Sequence, residues 1–290
     1  MSIDPAASIA RVHLTTPDLN QAVAFYRERI GLQVHRQSGD MAALGAGEAD
    51  LLVLHESPSA PRVRRTTGLY HFAILVPSRP DLARALRHLG QTATPMQGFA
   101  DHFVSEALYL ADPDGNGIEI YRDRPRREWP MHDGALQMGS DPLDLENLLA
   151  DAGPAGSWAG MPAGTVIGHV HLHVANIAPA ERFYAEGLGL DLIQRYGGTA
   201  SFLSAGGYHH HVAVNTWAGV GAPAPPPGAV GLKHVVIRVS NDAALAGVAQ
   251  SLTKAGAQCE NNQSHITTSD PSGNVIVIEP AAQRPPATKR

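Results

Sequence analysis

Four segments of this chain begin alike, and this repetition constrains the fold more than any other feature. They are ARVHLTTPDL from residue 10, YHFAILVPSR from residue 70, GHVHLHVANI from residue 168 and KHVVIRVSND from residue 233. Each is a strand-like apolar run followed by a turn and a helical pattern, and further short strand-like runs follow each helix. Repeated units of this kind bury a shared core by packing on one another. The sequence therefore predicts four βαβββ modules.

Two pairs of motifs support these repeats. The helices of modules one and three, QAVAFYRERIGL and PAERFYAEGLGL, both carry Phe-Tyr and end at Gly-Leu. Modules two and four close with ADPDGNGIEIY and SDPSGNVIVIE, in which Asp-Pro-x-Gly-Asn is strong turn chemistry. A stretch with one short helical pattern, at 141–153, separates modules two and three. We predict an N-terminal half at 1–125, a connector at 126–163 and a C-terminal half at 164–284.

Composition excludes several classes of protein. The 290 residues are 43% hydrophobic and 17% charged, which suits globular domains with their own cores. A net charge of −5 offers no basic surface to nucleic acid or to an anionic membrane. The apolar runs are too short to span a bilayer, and the N-terminus lacks a signal-peptide pattern. Because the single cysteine, Cys259, cannot form an internal disulfide, we expect a cytoplasmic protein.

The segments that carry the clearest resemblance to a known family are YHFAILVPSRPDLARAL, SEALYLADPDGNGIEIYRDRPRREWP, MPAGTVIGHVHLHV and FLSAGGYHHHVAVNTWAGVGAPAPPPGAVGL. They resemble the vicinal oxygen chelate superfamily of glyoxalases, bleomycin resistance proteins and extradiol dioxygenases. Within it, the chain is most similar to two-domain bacterial catechol-2,3-dioxygenase-like proteins, over nearly its whole length. The resemblance implies an α+β fold in which four βαβββ modules pair into curved mixed sheets, forming cups around a metal.

In that superfamily, metal ligands lie on the first and last strands of a module. A histidine stands five residues before the valine that ends the opening strand in modules two, three and four: His71, His169 and His234. Module one has Arg11 at this place. Glu119 lies four residues after the turn glycine of module two, whereas the same count in module four reaches Val277, with Glu279 two residues later. Only modules two and three fit the pattern without a shift.

We therefore predict a metal site formed by His71, Glu119 and His169. Two imidazoles and one carboxylate make the facial triad of non-haem Fe(II) oxygenases, which leaves adjacent coordination positions open. The expected cofactor is Fe(II), with Mn(II) as the alternative. The conventional pairing, of module one with two and of three with four, would instead favour His169, His234 and Glu279.

The segment GYHHHVAVN at 207–215 places three consecutive histidines before an apolar run. If it forms a strand, alternate side chains face opposite ways, so His210 points inward when His209 and His211 point outward. The resemblance to extradiol dioxygenases implies that His210 is the acid–base residue and that Tyr109 binds the substrate. It also implies a second polar contact from His102.

Each of these residues has a simpler structural interpretation. A lone buried histidine such as His71 or His169 is more often a hydrogen-bonded core residue than a ligand. Tyr109 is equally compatible with an ordinary core aromatic, and His102 with a loop residue. Glu119 is harder to explain in this way, because a carboxylate inside an apolar run is costly without a partner. Matching positions in two separate modules favour the metal site.

The resemblance implies an extradiol ring-cleaving dioxygenase, which cleaves a catechol-type substrate with O2 to a hydroxymuconic semialdehyde. Histidine suits the acid–base role of His210 because its pKa lies near the working pH. A glyoxalase-type metal-dependent isomerase or lyase is one alternative, although His210 stands where such enzymes carry a glutamate or glutamine. A non-enzymatic small-molecule-binding member is another. The expected partners are a small aromatic diol and O2, with a homo-oligomer possible and neither nucleic acid nor membrane involved.

Overall fold

The four repeats fold as four βαβββ modules in the computed structural model, which describes residues 2–154, 158–262 and 264–281. Module one contains β1 (Ser8–Thr16), α1 (Leu19–Phe25), β2 (Gln33–Ser38), β3 (Met41–Ala46) and β4 (Ala49–Glu56). Module two contains β5 (Gly68–Leu75), α2 (Arg79–Gln91), β6 (Met96–Asp101), β7 (Ser105–Ala111) and β8 (Gly117–Asp123). The connector holds two short strands, β9 (Met131–His132) and β10 (Ala135–Leu136), and helix α3 (Leu145–Ala150).

Module three contains β11 (Val166–His173), α4 (Ile177–Arg182), β12 (Asp191–Tyr196), β13 (Ala200–Ser204) and β14 (Val212–Asn215). Module four contains β15 (Gly231–Val239), α5 (Asp242–Lys254), β16 (Cys259–Asn262), β17 (His265–Ser269) and β18 (Val275–Pro280). A π-helical turn extends α1 over Tyr26–Ile30, and another extends α4 over Phe183–Gly187. These are the two Phe-Tyr segments noted in the sequence.

The turn after each opening strand also starts the helix. Asp18 caps α1 by accepting a hydrogen bond from the backbone N–H of Gln21, at 2.9 Å. Asn241 caps α5 in the same way, through the N–H of Ala244 at 3.0 Å. Such caps satisfy backbone donors that the first helical turn leaves free. The polar residue after the apolar run is therefore a helix start signal in modules one and four, whereas Asn176 before α4 makes no side-chain capping hydrogen bond.

The modules pair between the N-terminal and C-terminal halves of the chain rather than within each half. One eight-stranded sheet has the order β12-β13-β14-β11-β5-β8-β7-β6 and combines modules two and three. The other, β16-β17-β18-β15-β1-β4-β3-β2, combines modules one and four. We call them the two–three sheet and the one–four sheet. Both are mixed and curled, which confirms the predicted α+β fold of paired βαβββ modules.

The Phe-Tyr and Asp-Pro-x-Gly-Asn motifs bind one another within each half of the chain. The Tyr26 hydroxyl of module one donates to Asp112 of module two at 2.7 Å, and Tyr184 of module three donates to Asp270 of module four at 3.0 Å. Sheets thus join modules across the halves, while helices and turns join modules within a half. The division at 1–125, 126–163 and 164–284 stays a prediction, and residues 1, 155–157, 263 and 282–284 of it lie outside the described residues.

The strand alternation places polar side chains on one face of the two–three sheet. On β11, Val170 and Leu172 belong to the hydrophobic core, whereas His169 and His171 take the opposite face. That opposite face lines a cavity of about 540 Å³. No helix among the described residues is long and apolar enough to cross a membrane.

Candidate metal centre

Three neighbouring strands of the two–three sheet bring His71, Glu119 and His169 together. Across the order β11-β5-β8, His169 lies opposite Ala73, which in turn lies beside Glu119. His71 precedes Ala73 by two residues and so shares its face. Because alanine has no side chain beyond Cβ, the space above Ala73 is open to the side chains of His71, Glu119 and His169.

The donor atoms of these three residues converge on one point. Glu119 Oε2 lies 3.1 Å from His71 Nε2 and 3.1 Å from His169 Nε2. All three atoms lie within 4.8 Å of one another, and all three residues are buried. Ligand atoms bound at about 2.1 Å and at right angles lie about 3.0 Å apart, which agrees with both distances.

The hydrogen bonding of the cluster also fits a cation. His71 Nε2 is buried and has no hydrogen-bond partner with acceptable geometry among the described residues, although it lies close to Glu119. Only His169 Nε2 has the geometry of a hydrogen bond to that carboxylate. A buried nitrogen without a partner is costly, and a metal ion between the donors would satisfy it. The residues present therefore fit a divalent metal.

Electrostatics keep Glu119 and His169 in the forms that bind metals. Burial alone would raise the pKa of Glu119, but His169 and His71 hold that pKa well below its ordinary value. Burial lowers the pKa of His169 to about 4, in spite of the opposing effect of Glu119. At neutral pH Glu119 is thus a carboxylate and His169 a neutral imidazole, the forms in which these side chains bind metals.

His210 lies directly against this cluster, but the strand assignment of its segment was wrong. Residues 205–211 form turns and bends, and β14 begins only at Val212. The His210 ring packs against His169 at a tilt of 46°, with centroids 4.0 Å apart, and lines the cavity. Burial, followed by the neighbouring His169 and His209, lowers the pKa of His210 well below its ordinary value. His210 is therefore a neutral imidazole beside the metal donors.

The outward orientation predicted for His209 is also wrong. His209 is fully buried, and its ring contacts both Asp123 and His210. Strand alternation does not apply to this loop, in which Gly206 and Gly207 adopt left-handed backbone conformations with φ of 59° and 68°. The glycines turn the chain so that consecutive histidines can both enter the protein.

Tyr109 and His102 form a hydrogen-bonded pair on the wall of the same cavity. The His102 Nε2 atom lies 2.6 Å from the Tyr109 hydroxyl, and Nδ1 lies 2.7 Å from the Gly139 carbonyl oxygen. Since a carbonyl only accepts, Nδ1 carries the hydrogen, and in neutral His102 Nε2 accepts from Tyr109. Burial, followed by Glu119, raises the pKa of Tyr109 well above its ordinary value, so the phenol stays protonated.

The connector closes one side of the cavity. Met138 and Gln194 exchange two hydrogen bonds: the Met138 N–H donates to the Gln194 side chain at 2.8 Å, and the Gln194 amide donates to the Met138 carbonyl at 3.0 Å. The carbonyl of Gly139 accepts from His102 on the opposite module. Three aromatic side chains that are partly exposed stand at the cavity wall: Tyr70, Tyr196 and Trp217.

Residues 8–120 and 166–278 match the Glyoxalase/Bleomycin resistance protein/Dioxygenase superfamily. The chain belongs to this superfamily. It is also 42% identical, over 281 residues, to a catechol-2,3-dioxygenase of Bacillus subtilis (strain 168), and the alignment covers 95% of this chain and 98% of that protein.

Solved structures of the superfamily share the fold. A Bacillus subtilis protein provisionally named a dioxygenase gives a TM-score of 0.66 at 14% identity, covering 98% of this chain and 87% of the other. Glyoxalase I from Zea mays gives 0.59 at 14% identity, covering 95% and 92% respectively. At these identities the likeness concerns the fold alone.

This superfamily member does not bring the rival ligands His234 and Glu279 to His169. His234 lies in the one–four sheet, where its ring stacks on His13 with centroids 3.9 Å apart. Glu279 forms ion pairs with Arg11 and Arg238, each at 2.7 Å. Arg11 occupies the position that holds a histidine in the other modules, so its guanidinium supplies the positive charge that Glu279 requires. The set His169, His234 and Glu279 is therefore wrong as one site.

Sequence reasoning missed several residues of the site. No role was predicted for His171, yet it lines the cavity, and its buried Nε2 has no partner within the described ranges. No role was predicted for Asp123 or Gln194, and His209 was predicted only to face outward. The signal for His171 was its two-residue spacing from His169 on one strand, whereas no local pattern pairs Asp123 with His209, 86 residues away.

Proposed function

We propose that this chain is an extradiol ring-cleaving dioxygenase, which uses O2 and a non-haem Fe(II) centre to open a catechol-type ring. The observation that carries the proposal is the convergence of His71, Glu119 and His169 in one buried cluster on the wall of a cavity. The 42% identity to a catechol-2,3-dioxygenase supports the same reaction class. The expected product is a hydroxymuconic semialdehyde, and Mn(II) is the alternative metal.

The metal would be coordinated on one face by His71, Glu119 and His169. When bound, the metal would offer adjacent positions to both reactants and would acidify the phenolic hydroxyls. The protein supplies position, because the two reactants are held together on one face of the cluster. The cavity of about 540 Å³ falls within the usual range for small-molecule sites, about 300–1,000 Å³.

His210 would act as the base. Its neutral ring faces the cavity beside His169, so it can take a proton from a catechol hydroxyl and return it during ring opening. Tyr109 would hydrogen-bond a substrate oxygen. Because its own hydrogen is donated to His102 Nε2, the Tyr109 oxygen is free to accept from a substrate hydroxyl.

The test is oxygen uptake after anaerobic loading with Fe(II), with catechol as substrate and the yellow ring-opened product followed by absorbance. We expect coupled uptake and colour in the wild type. His210→Ala should keep its iron but lose about 10²-fold or more in kcat, because it lacks the base. Uptake without the coloured product, or an unchanged rate in His210→Ala, would contradict the proposed chemistry.

A metal isomerase would behave differently in the same preparation. An Fe(II) dioxygenase should lose activity in air or peroxide and recover with ferrous iron and a reductant, whereas a zinc or nickel isomerase should not. Bound metal with no oxygen uptake would favour the isomerase. Absence of metal binding would favour a non-enzymatic binding protein.

A further inference from the structure

We infer that Asp123 and His209 form a positioning dyad, which fixes the ring hydrogen of His210 on Nδ1 and leaves Nε2 free as the base. The inference rests on the proposed role of His210. His209 Nε2 lies 2.9 Å from Asp123 Oδ1, and His209 Nδ1 lies 2.8 Å from His210 Nδ1. The three side chains thus form an unbroken chain of hydrogen bonds that ends at the cavity.

The direction of these hydrogen bonds follows from what each group can donate. An ionised carboxylate only accepts, so His209 must carry its hydrogen on Nε2, towards Asp123. An imidazole whose single ring hydrogen is on Nε2 has a lone pair on Nδ1, which accepts. The hydrogen between the two Nδ1 atoms therefore belongs to His210. Since the tautomer of one ring nitrogen is set by the bond that the other makes, Nε2 of His210 is left unprotonated.

The surroundings hold the dyad in place. Asp123 ends β8, the strand that carries Glu119, and also accepts from the Tyr208 hydroxyl at 3.2 Å. The His209 side chain is about 1% exposed, and the Trp129 ring packs beside it with centroids 5.5 Å apart. The hydrogen bonds from Asp123 through His209 to His210 fix the orientations of the two imidazole rings.

The dyad also links the two modules that form the cavity. His209 and His210 belong to module three, whereas Asp123 belongs to module two. Asp123 and Glu119 lie on the same strand, β8. The dyad therefore holds the loop at 205–211, which carries His210, against the strand that supplies a predicted metal ligand. Misplacement of a catalytic group by about 1 Å can cost about 10²-fold in rate, so such an anchor matters for the reaction.

Two substitutions of His209 give a matched test. His209→Leu has a similar volume but no acceptor for His210. In His209→Gln, the amide oxygen can accept from His210 Nδ1 while the amide N–H donates to Asp123. We expect His209→Leu to lower kcat about 10- to 100-fold, with unchanged KM and iron content, and His209→Gln to stay within about threefold of the wild type.

His132→Gln is the control, because it replaces a largely exposed histidine that takes no part in these hydrogen bonds. It should stay within about twofold of the wild type. Equal losses in His209→Leu and His209→Gln, or a loss of iron in His209→Leu, would show that His209 serves only the local packing and would overturn the inference.

A spectroscopic measurement tests the dyad without any turnover. Nitrogen-15 NMR of the metal-free protein at neutral pH should show His210 protonated at Nδ1, and His209→Leu should move that hydrogen partly to Nε2. Hydrogen on Nε2 of His210 in the wild type would overturn the dyad, even if the enzyme cleaves catechol. The expected spectrum in a protein that consumes no oxygen would retain the dyad and reject the proposed reaction.

Discussion

At the scale of single residues, the candidate site depends on small side chains as much as on its ligands. Ala73 leaves open the space between His169 and Glu119 on the neighbouring strands. Gly168 lies in the irregularity of β11 between Ile167 and His169, and a Cβ on Gly168 would overlap the Tyr121 hydroxyl. The orientation of His169 is therefore set partly by a glycine that has no chemistry of its own.

Gly168→Ala should weaken metal binding by about tenfold or more, because the strand must shift beside His169. The measurement is the metal dissociation constant by anaerobic titration. Gly98→Ala, on β6 of the same sheet, is the control, since its Cβ would meet no atom within 4 Å. Combining Gly168→Ala with Tyr121→Phe should recover part of the affinity. Unchanged binding in Gly168→Ala would contradict this account.

Some residues of the site could be selected from the sequence and others could not, and the reason is physical. His71, Glu119 and His169 could be selected because repeats provide an internal comparison, and the structure brings them together, although their metal-binding role stays a prediction. The orientation of His209 could not be predicted, because the alternation rule assumes an extended strand. The left-handed glycines before it turn the segment into a loop.

At the scale of elements, the repeated motifs act as joints between modules. Each Phe-Tyr helix places its tyrosine hydroxyl on a buried aspartate of the following module, at the Asp-Pro-x-Gly-Asn turn. The same aspartates organise the turns themselves: Asp112 accepts from the backbone N–H of Asn116 at 2.8 Å, and Asp270 from that of Asn274 at 3.0 Å. The two sequence motifs are thus halves of one contact, a relation that their separation of 86 residues conceals.

Tyr26→Phe and Tyr184→Phe should each lower the free energy of unfolding by about 2 kcal/mol, because each removes one hydrogen bond to a buried carboxyl group. Denaturant titration of the metal-free protein measures this. Tyr196→Phe, at an exposed position, should change stability by less than about 0.5 kcal/mol. Equal stability of all three variants would show that the tyrosine–aspartate contacts contribute nothing to module docking.

At the scale of the whole molecule, the two sheets share one architecture but differ in the charged groups that surround the glutamate on the last strand of a module. In the two–three sheet, Glu119 faces two histidines and a cavity. In the one–four sheet, Glu279 is bound by Arg11, 268 residues away, and by Arg238. The register of the repeats indicated this asymmetry, because Arg11 replaces a histidine. The ion pair itself could not be predicted, since it depends on which modules share a sheet.

The buried histidines make stability depend on pH. The pKa values of His169, His171 and His210 lie below the ordinary value of 6.5, chiefly because of burial. Below pH 6.5 the unfolded chain binds protons that the folded protein does not, so the free energy of unfolding falls as pH falls. Each such group contributes about 1.4 kcal/mol per pH unit in this window.

We expect the metal-free protein to lose stability steeply between pH 6.5 and pH 5, as measured by denaturant titration at several pH values. His171→Phe should reduce the slope of unfolding free energy against pH by the contribution of one histidine, about 1.4 kcal/mol per pH unit. The matched substitution His132→Gln, at a largely exposed position, should leave the slope unchanged. A stability that stays flat over this window would contradict neutral, buried histidines.

The central claim is that one metal is held by His71, Glu119 and His169, and its most direct test is an anaerobic Fe(II) titration with metal content measured per chain. We predict one iron per chain in the wild type and in Glu279→Ala, and none retained in Glu119→Ala. The two glutamates make a matched pair, since each lies on the last strand of its module. Iron retained in Glu119→Ala, or lost in Glu279→Ala, would contradict the claim and place the metal elsewhere.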